Sequence, residues 1–599
     1  MRFYNNTFKI KTRICRIGFP ALALLALAGC EPDLLDTSPY GSVSSNTMWT
    51  TDNLTDLGMT GVYNGLRLGI NTSAASGREL YHFDRLGLGG QQRDGEPFMT
   101  GTATVGNGNV SSVWSELYEG VHRANDAIKN LTEKSPSSAE KKARYIAESK
   151  FLRAYYYSRL NQLFKGVPIY LEPVQLEEIT KGRETEAKVW EQVIRDLSDA
   201  INEPALPDKY AKGNAGFGHA TKGAAYALRG KTYMYTKQWD LAIADFEKVK
   251  AAGYALFTGG GADSYRLLFK QANEQSDEMI FSIQHMGVSG YGSTTQFFCG
   301  TRSSTGSCWN TYLISPNIVD LYENQDGTRF NWDAVIPGYN AMPVEKREVF
   351  FLRNNLTATE IAAMTAKGLD MGLYLPNGNE ERILKAYQNR DPRLQANVIT
   401  PYAHYNGTTP VISRWPYRVA NGLAIADLRT DTGNLFHYLH RKFVYEGAPG
   451  VEIENRTYGP TDFPIIRYAD VLLMWAEALN EKGKTTEAVA LVNEVRARAG
   501  VALLNSSTAT TVTGQANLRE RIRNERRMEF VNEGIDYFDE LRWGTLKESV
   551  FYAGNGVKQV WGTVVVPYIW SGDFLYSWPI PQSEIERNAN LQQNPGWLN

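Results

Sequence analysis

The sequence predicts a mostly α fold, in which paired helices form a scaffold and a large loop-rich region carries minor β-strands. Three observations point to it. The first is the stretch Pro464–Gly500. Val471, Trp475, Ala478 and Leu479 fall on one face at the spacing of an amphipathic helix, and Gly483 interrupts the pattern. Ala488, Leu491, Val492, Val495 and Ala499 repeat it, and Gly500 stands where a helix stops. So short a connection makes an antiparallel hairpin, with Ala476, Ala478, Ala488 and Ala490 permitting close approach. The second observation is another hairpin, Thr221–Thr236 with Trp239–Ala252. The third is the stretch 257–460, where Gly, Pro, Asn and aromatic residues increase and helical periodicity fades. Short alternating runs such as Met279–Gln284 read there as strands.

The chain opens on a segment outside the fold. Arg2, Lys9, Lys11, Arg13 and Arg16 form a basic start, and Gly18–Gly29 is apolar but too short to span a bilayer, as in a signal peptide over residues 1–29. Leu27-Ala28-Gly29-Cys30 resembles a bacterial lipobox, which makes Cys30 the expected lipidation site. A Ser/Thr/Pro/Gly-rich run to residue 45 reads as a tether. Loss of the five basic residues takes the formal net charge from −2 to −7. A chain this acidic, with no basic tract, is a poor partner for nucleic acid. Cys15 leaves with the signal. Cys299 and Cys308 remain, and an exported compartment favours a disulfide between them over metal binding by two lone thiols.

Taken in order, residues 46–70 read as a first helix and 71–110 as Gly/Asn/Ser-rich loop. Helices are then expected over Val113–Leu131, Ala143–Phe164 and 185–201. Tyr155, Tyr156 and Tyr157 cannot share one helical face, since each step turns about 100°, so they are expected to pack between neighbouring helices. Ala242 and Phe246 follow Trp239 in the manner of a tetratricopeptide repeat. Leu518–Asn532 is a further helix, whose five Arg against Glu520, Glu525 and Glu529 suggest ion pairing rather than a nucleic-acid patch.

Several runs are more specific. RYADVLLMWAEALNE followed by Asn493, Val495, Arg496, Arg498, Ala499 and Gly500 is one. YIAESKFLRAYYYSRLNQLFKGVPIY, Asp391-Pro392-Arg393, and ER-x2-EF-x2-EG leading to Asp539, Arg542 and Trp543 are others, and the ending WPIPQSEIERNANLQQNPGW completes the set. Together these resemble the SusD/RagB-like family of nutrient-binding outer-membrane lipoproteins of Bacteroidetes. Asp536 and Glu540 depart from the family pattern and place the local ion pair in doubt. The resemblance covers roughly 46–256 and 461–599, leaving 257–460 as the variable region expected to decide the ligand. It implies tetratricopeptide-like helix pairs and a cell-surface position. It also implies capture of a glycan, or less often a peptide, by binding and lid closure, with delivery to a SusC-like TonB-dependent transporter.

Catalytic patterns fail on inspection. Gly483-Lys484-Thr485 and Gly230-Lys231-Thr232 resemble the end of a P-loop but lack its earlier Gly. Gly287–Tyr291 misses the last position of a nucleophile elbow. His437 and His440 have no third ligand, and NQDGTR at 324–329 lacks the end positions of a calcium loop. No enzyme activity, cofactor or metal is expected. A glycosidase with an unmarked carboxylate pair and a protein-binding helical adaptor are the alternatives.

A sugar presents an apolar ring face and a hydroxyl rim, which aromatic rings and Arg, Asp or Asn side chains recognise. Two loops offer that mixture. One, Tyr81–Phe98, contributes Tyr81, His82, Asp84, Arg93 and Asp94. The other, Tyr291–Trp332, contributes Tyr291, Phe297, Phe298, Trp309, Tyr312 and Trp332, with Trp309 the leading candidate. The competing reading of each aromatic is an anchor holding its loop to the scaffold.

Overall fold

The computed structural model describes residues 45–67, 80–304, 307–407, 410–412, 436–447 and 453–597. The expected signal peptide, Cys30 and the tether through residue 44 lie outside them. The main helices are α1 (Asp52–Asn64), α2 (Gly108–Glu133), α3 (Ala139–Phe164), α4 (Glu186–Asn202), α5 (Lys222–Tyr235), α6 (Trp239–Ala251), α7 (Tyr468–Glu481), α8 (Thr485–Ala499), α9 (Gln515–Glu529) and α10 (Asp536–Trp543).

Hydroxyl caps start four of them. Thr51, Ser138, Thr185 and Thr221 each accept a hydrogen bond from the backbone three residues on. Gly500, at φ +74°, closes α8 in the left-handed conformation that glycine adopts without strain. Helices α2 to α6 pack in sequence order, each on the next, and α7 packs on α6 as well as on α8 and α9. The two hairpins read from the sequence, some 240 residues apart, are therefore neighbours in one helical stack.

Close packing explains residues that look functional in isolation. A side chain at Gly230 would meet the Phe246 ring at 2.5 Å, so glycine there lets α5 and α6 approach. The adjacent Lys231 pairs with Asp470 of α7 at 3.2 Å. The apparent phosphate motif is thus a helix contact. Tyr155, Tyr156 and Tyr157 are all buried; Tyr157 donates to the Tyr170 carbonyl at 2.9 Å, and Tyr156 lies against Gly120.

The loop-rich region carries short two-stranded pairings. Met279–Ile283 pairs antiparallel with Phe463–Arg467, the segment leading into α7, and this joins the loop region to the helical stack. A second hydrophobic cluster, built mainly from 314–402, sits apart from the main core. Trp332 belongs to it. Its ring stacks on Tyr339 at 4.6 Å and its indole nitrogen donates to Asp320. The expectation of a ligand-facing Trp332 is corrected accordingly.

The charges in the second half of α9, Glu525, Arg526, Arg527 and Glu529, are turned inward. Arg526 pairs with Asp470 at 2.8 Å and Asp539 at 2.6 Å. Glu525 meets Arg393 and Arg496, and Glu529 meets Arg393, Arg467 and Arg498. The local pair placed in doubt by Asp536 and Glu540 forms in a different way: Arg527 reaches Glu540 at 2.5 Å and lies 3.8 Å from Asp536.

Candidate functional site: an aromatic shelf ringed by arginines

The site builds outward from the C-terminal segment around Gly534 and Asp536. Gly534, just past α9, lies against the Leu80 carbonyl. Asp536, the first residue of α10, accepts a hydrogen bond from the Gly89 backbone at 2.9 Å. The run Gly87-Leu88-Gly89-Gly90 wraps over it: a Cβ on Gly87 would meet the Asp536 carboxylate at 2.4 Å, and one on Gly90 would meet the Asp84 carbonyl at 2.4 Å. Held this way, Gly90–Gln92 pairs antiparallel with Tyr312–Ile314, placing Gln92 opposite Tyr312. The ladder continues one step, with Arg93 donating its backbone N–H to the Thr311 carbonyl at 2.9 Å. The two candidate loops are thereby brought side by side.

At the outer end of this ladder Arg93 donates from its guanidinium to the Trp309 carbonyl at 2.9 Å and pairs with Asp94 at 3.0 Å. Trp309 is 43% exposed. Its ring lies 4.5 Å from Phe297, centroid to centroid, tilted at 43°. The Arg456 guanidinium covers the Phe297 ring at 4.9 Å and donates to the Ser307 carbonyl at 2.6 Å. Ser307 and Asn310, on either side of the tryptophan, both have positive φ, at 53° and 40°. Such backbone is sparsely populated by non-glycine residues and persists where surrounding contacts impose it, often at binding loops.

Beneath the shelf, Tyr81, Phe297 and Tyr312 are buried. Tyr81 bonds Thr294 at 2.9 Å and stacks on His82, and His82 bonds the Tyr312 hydroxyl at 2.6 Å. These rings form the floor that holds the loops. Tyr291, 54% exposed, stands on a separate loop under the Arg67 guanidinium. Of the candidate residues, Arg93, Asp94 and Trp309 meet at the surface, with Phe297, Tyr81 and Tyr312 buried below. Arg456 was missed, because nothing in its local sequence marks it; only the fold brings it to the Phe297–Trp309 pair.

The expected disulfide is not formed. Cys299 and Cys308 are two buried thiols, the Cys299 sulfur lying 3.7 Å from the Asn532 side-chain oxygen, while Cys308 packs over Gly300. Burial pushes the Cys308 thiol up to about 12. His437 and His440 are buried, and desolvation lowers them to about 4 and about 3, so both are neutral near pH 7. No group of three residues suited to hold a metal occurs among the described residues.

The acids under the loop titrate unusually. Burial raises Asp84 well above the usual carboxylate range, with Asp536 and Glu533 adding to it. Burial, and then Glu540, raise Asp536 to about 6, against the opposing effect of Arg527. A carboxyl raised on folding loses stability as pH climbs from its unfolded value near 3.8 through about 6. Asp536→Asn is expected to be more stable than the parent at pH 7.5 by about 1–3 kcal/mol and equal to it below pH 4. Thermal melts at the two pH values measure this, and a variant less stable at pH 7.5 would show that the Gly89 contact needs the charge.

The SusD family profile matches residues 277–597, and a profile described as starch-binding and associating with the outer membrane matches residues 92–234. A SusD-like protein of Formosa agariphila is 23% identical over 590 residues, covering 96% of this chain and 97% of its own length. The starch-binding protein SusD of Bacteroides thetaiotaomicron is 26% identical over 478 residues, covering 76% of this chain and 73% of its own. The crystal structure of a SusD-like carbohydrate binding protein from Bacteroides fragilis superposes with a TM-score of 0.69 at 26% identity, over 91% of this chain and 100% of that one. Since the first profile alone spans more than half of the sequence, the chain belongs to the SusD family.

Proposed function

We propose that the protein is a non-enzymatic, lipid-anchored cell-surface protein that captures a glycan on the Trp309 shelf and delivers it to a SusC-like TonB-dependent transporter in the outer membrane. The observation that carries the reading is the convergence of an exposed tryptophan, a supporting phenylalanine and an Arg–Asp pair at one surface. An apolar sugar face stacks on the indole while the guanidinium and carboxylate groups take hydroxyls. The family membership and the carbohydrate-binding names of its relatives support it. Buried aromatics below the shelf keep it rigid, which reduces the ordering cost of binding.

The test is a titration of the mature chain, starting after Cys30, against oligosaccharides and peptides, with the same samples assayed for cleavage products. Saturable glycan binding without products is expected. Trp309→Ala, with its folding checked by circular dichroism, is expected to weaken binding at least tenfold, about 1.4 kcal/mol or more. Turnover would overturn the non-enzymatic reading. Unchanged affinity in the variant would move the site elsewhere.

A further inference from the structure

The Trp309 shelf leaves unused a cavity of about 320 Å³ walled by the segment 266–270, the strand His404–Asn406 and the loop 441–446. Phe269, Phe443 and Val444 make its apolar part. Phe443 is half-buried, and its ring lies 5.2 Å from both Phe269 and Phe463. It sits at φ +59°. A bulky residue rarely takes left-handed backbone, and where surrounding contacts hold it there the position is often a binding site.

The hairpin of His404–Asn406 with Pro410–Ile412 stands between cavity and shelf. Successive side chains of a strand point to opposite faces. Tyr405 turns to the shelf side, where its hydroxyl bonds Ser304 on the loop that carries Trp309. His404 and Asn406 turn the other way and line the cavity. Among the described residues, these two make their hydrogen bonds through the backbone. Arg441 donates to the His404 carbonyl, the Asn406 N–H donates to Glu446 at 3.1 Å, and the Asn406 carbonyl accepts from Gly447 at 2.7 Å. The imidazole and the amide are thereby left to a ligand, and each can donate and accept. Tyr445, also on the cavity wall, donates its backbone N–H to Gln296, the neighbour of Phe297, at 2.8 Å. Cavity and shelf therefore share a partition braced from both sides.

Three cations on the cavity wall are already committed to carboxylates: Arg441 to Glu446 at 2.7 Å, Arg266 to Asp263 at 3.1 Å, and Lys442 to Glu533. An ionic ligand would have to displace such a pair, which is costly where it is buried. Hydroxyls need only the open imidazole and amide. The volume, and the mixture of apolar rings with a few polar groups, are those of a small-ligand pocket. We propose that the cavity is a second sugar site, on the opposite face of the hairpin from Trp309. It takes a short uncharged segment of glycan, the apolar ring face against Phe443 and the hydroxyl rim on His404 and Asn406. The proposal rests on the glycan-capture reading above and extends it: a chain long enough to reach both faces is held at two points and gains affinity from the second.

The experiment titrates the mature chain calorimetrically with short neutral oligosaccharides of glucose, mannose, galactose and xylose, and with a short uronic-acid oligosaccharide. Two sites per chain are expected for the neutral sugar that binds. Trp309→Ala is expected to remove one. His404→Ala with Asn406→Ala is expected to weaken the other at least tenfold, and since both side chains are exposed the fold should tolerate the change. Affinity at the cavity, read in Trp309→Ala, is expected to shift by less than about twofold with added salt, because no ligand charge is paired there. A single site abolished by Trp309→Ala, or a double variant that titrates like the parent, overturns the second site and leaves the shelf reading standing. Tighter binding of the uronic acid than of the neutral sugar in Trp309→Ala overturns the uncharged ligand. A single site lost only in the double variant upholds the cavity and overturns the shelf. Binding of none of the sugars overturns both.

Discussion

Glu529→Gln is expected to destabilise the protein by about 3–5 kcal/mol, the usual consequence of removing one member of a buried ion-pair cluster. Glu529 is fully buried, 3.0 Å from Arg393, 3.2 Å from Arg467 and in contact with Arg498. Around this centre, Glu278 also meets Arg467 and Arg498, Glu533 meets Arg467 and Lys442, and Asp391 meets Arg393. The cations come from the Asp391-Pro392-Arg393 motif, the end of the strand before α7, the end of α8 and the loop at 442. The carboxylate therefore ties the variable region to the helical stack. A glutamine keeps the shape and hydrogen-bonding oxygen but leaves buried positive charge uncompensated. Burial pushes the Glu529 carboxyl up, yet Arg498, Arg467 and Arg393 hold it far below its ordinary value. Its contribution is present above the unfolded carboxylate value near 4.5 and is lost only in strongly acidic solution. Denaturant titration at pH 7 measures the effect. A variant within about 1 kcal/mol of the parent would show that the neighbouring acids already neutralise the arginines.

Gly534→Ala is the second large effect. Gly534 sits at φ +67°, and an added Cβ would lie 1.9 Å from the Leu80 carbonyl oxygen and 2.4 Å from its carbon. The left-handed conformation alone costs about 1–2 kcal/mol for an alanine. The contact is backbone, so no rotamer change relieves it, and Leu80 must move. We expect a total loss above about 3 kcal/mol, and weaker glycan binding even where the variant remains folded, because residues 80–93 carry Arg93 to the shelf. Melting curves and a glycan titration below the melting transition separate the two effects. A variant that melts and binds like the parent would mean that the loop is positioned independently of this glycine.

Much of the helical scaffold was legible because its information is local. Period and terminal glycines placed α2 to α8 within about five residues of their observed bounds, without use of the hydroxyl caps that the structure shows. Nonlocal features were not. The pairing of Met279–Ile283 with Phe463–Arg467 joins segments some 180 residues apart, and neither strand names its partner. Trp309 and Trp332 look alike in sequence; one is on the surface and the other in a second core, a difference set by what packs on them. The thiols illustrate the same limit, since compartment permits a bond that Cys299 and Cys308 do not form. The arginines beside the Phe297–Trp309 pair come from positions 93 and 456, and no spacing rule connects them.

The small ladder between Gly90–Gln92 and Tyr312–Ile314, together with the seat of Leu80 on Gly534, has a consequence for how the molecule matures. The binding surface is a product of distant parts of the chain. While the protein is being synthesised, residues 80–93 lack both the glycine seat at 534 and the strand at 312–314 that orient Arg93. Shelf and scaffold are completed together, once the segment around residue 534 has emerged. A chain interrupted before that point lacks the seat for Leu80, so an ordered Trp309 surface is expected only in the full-length polypeptide.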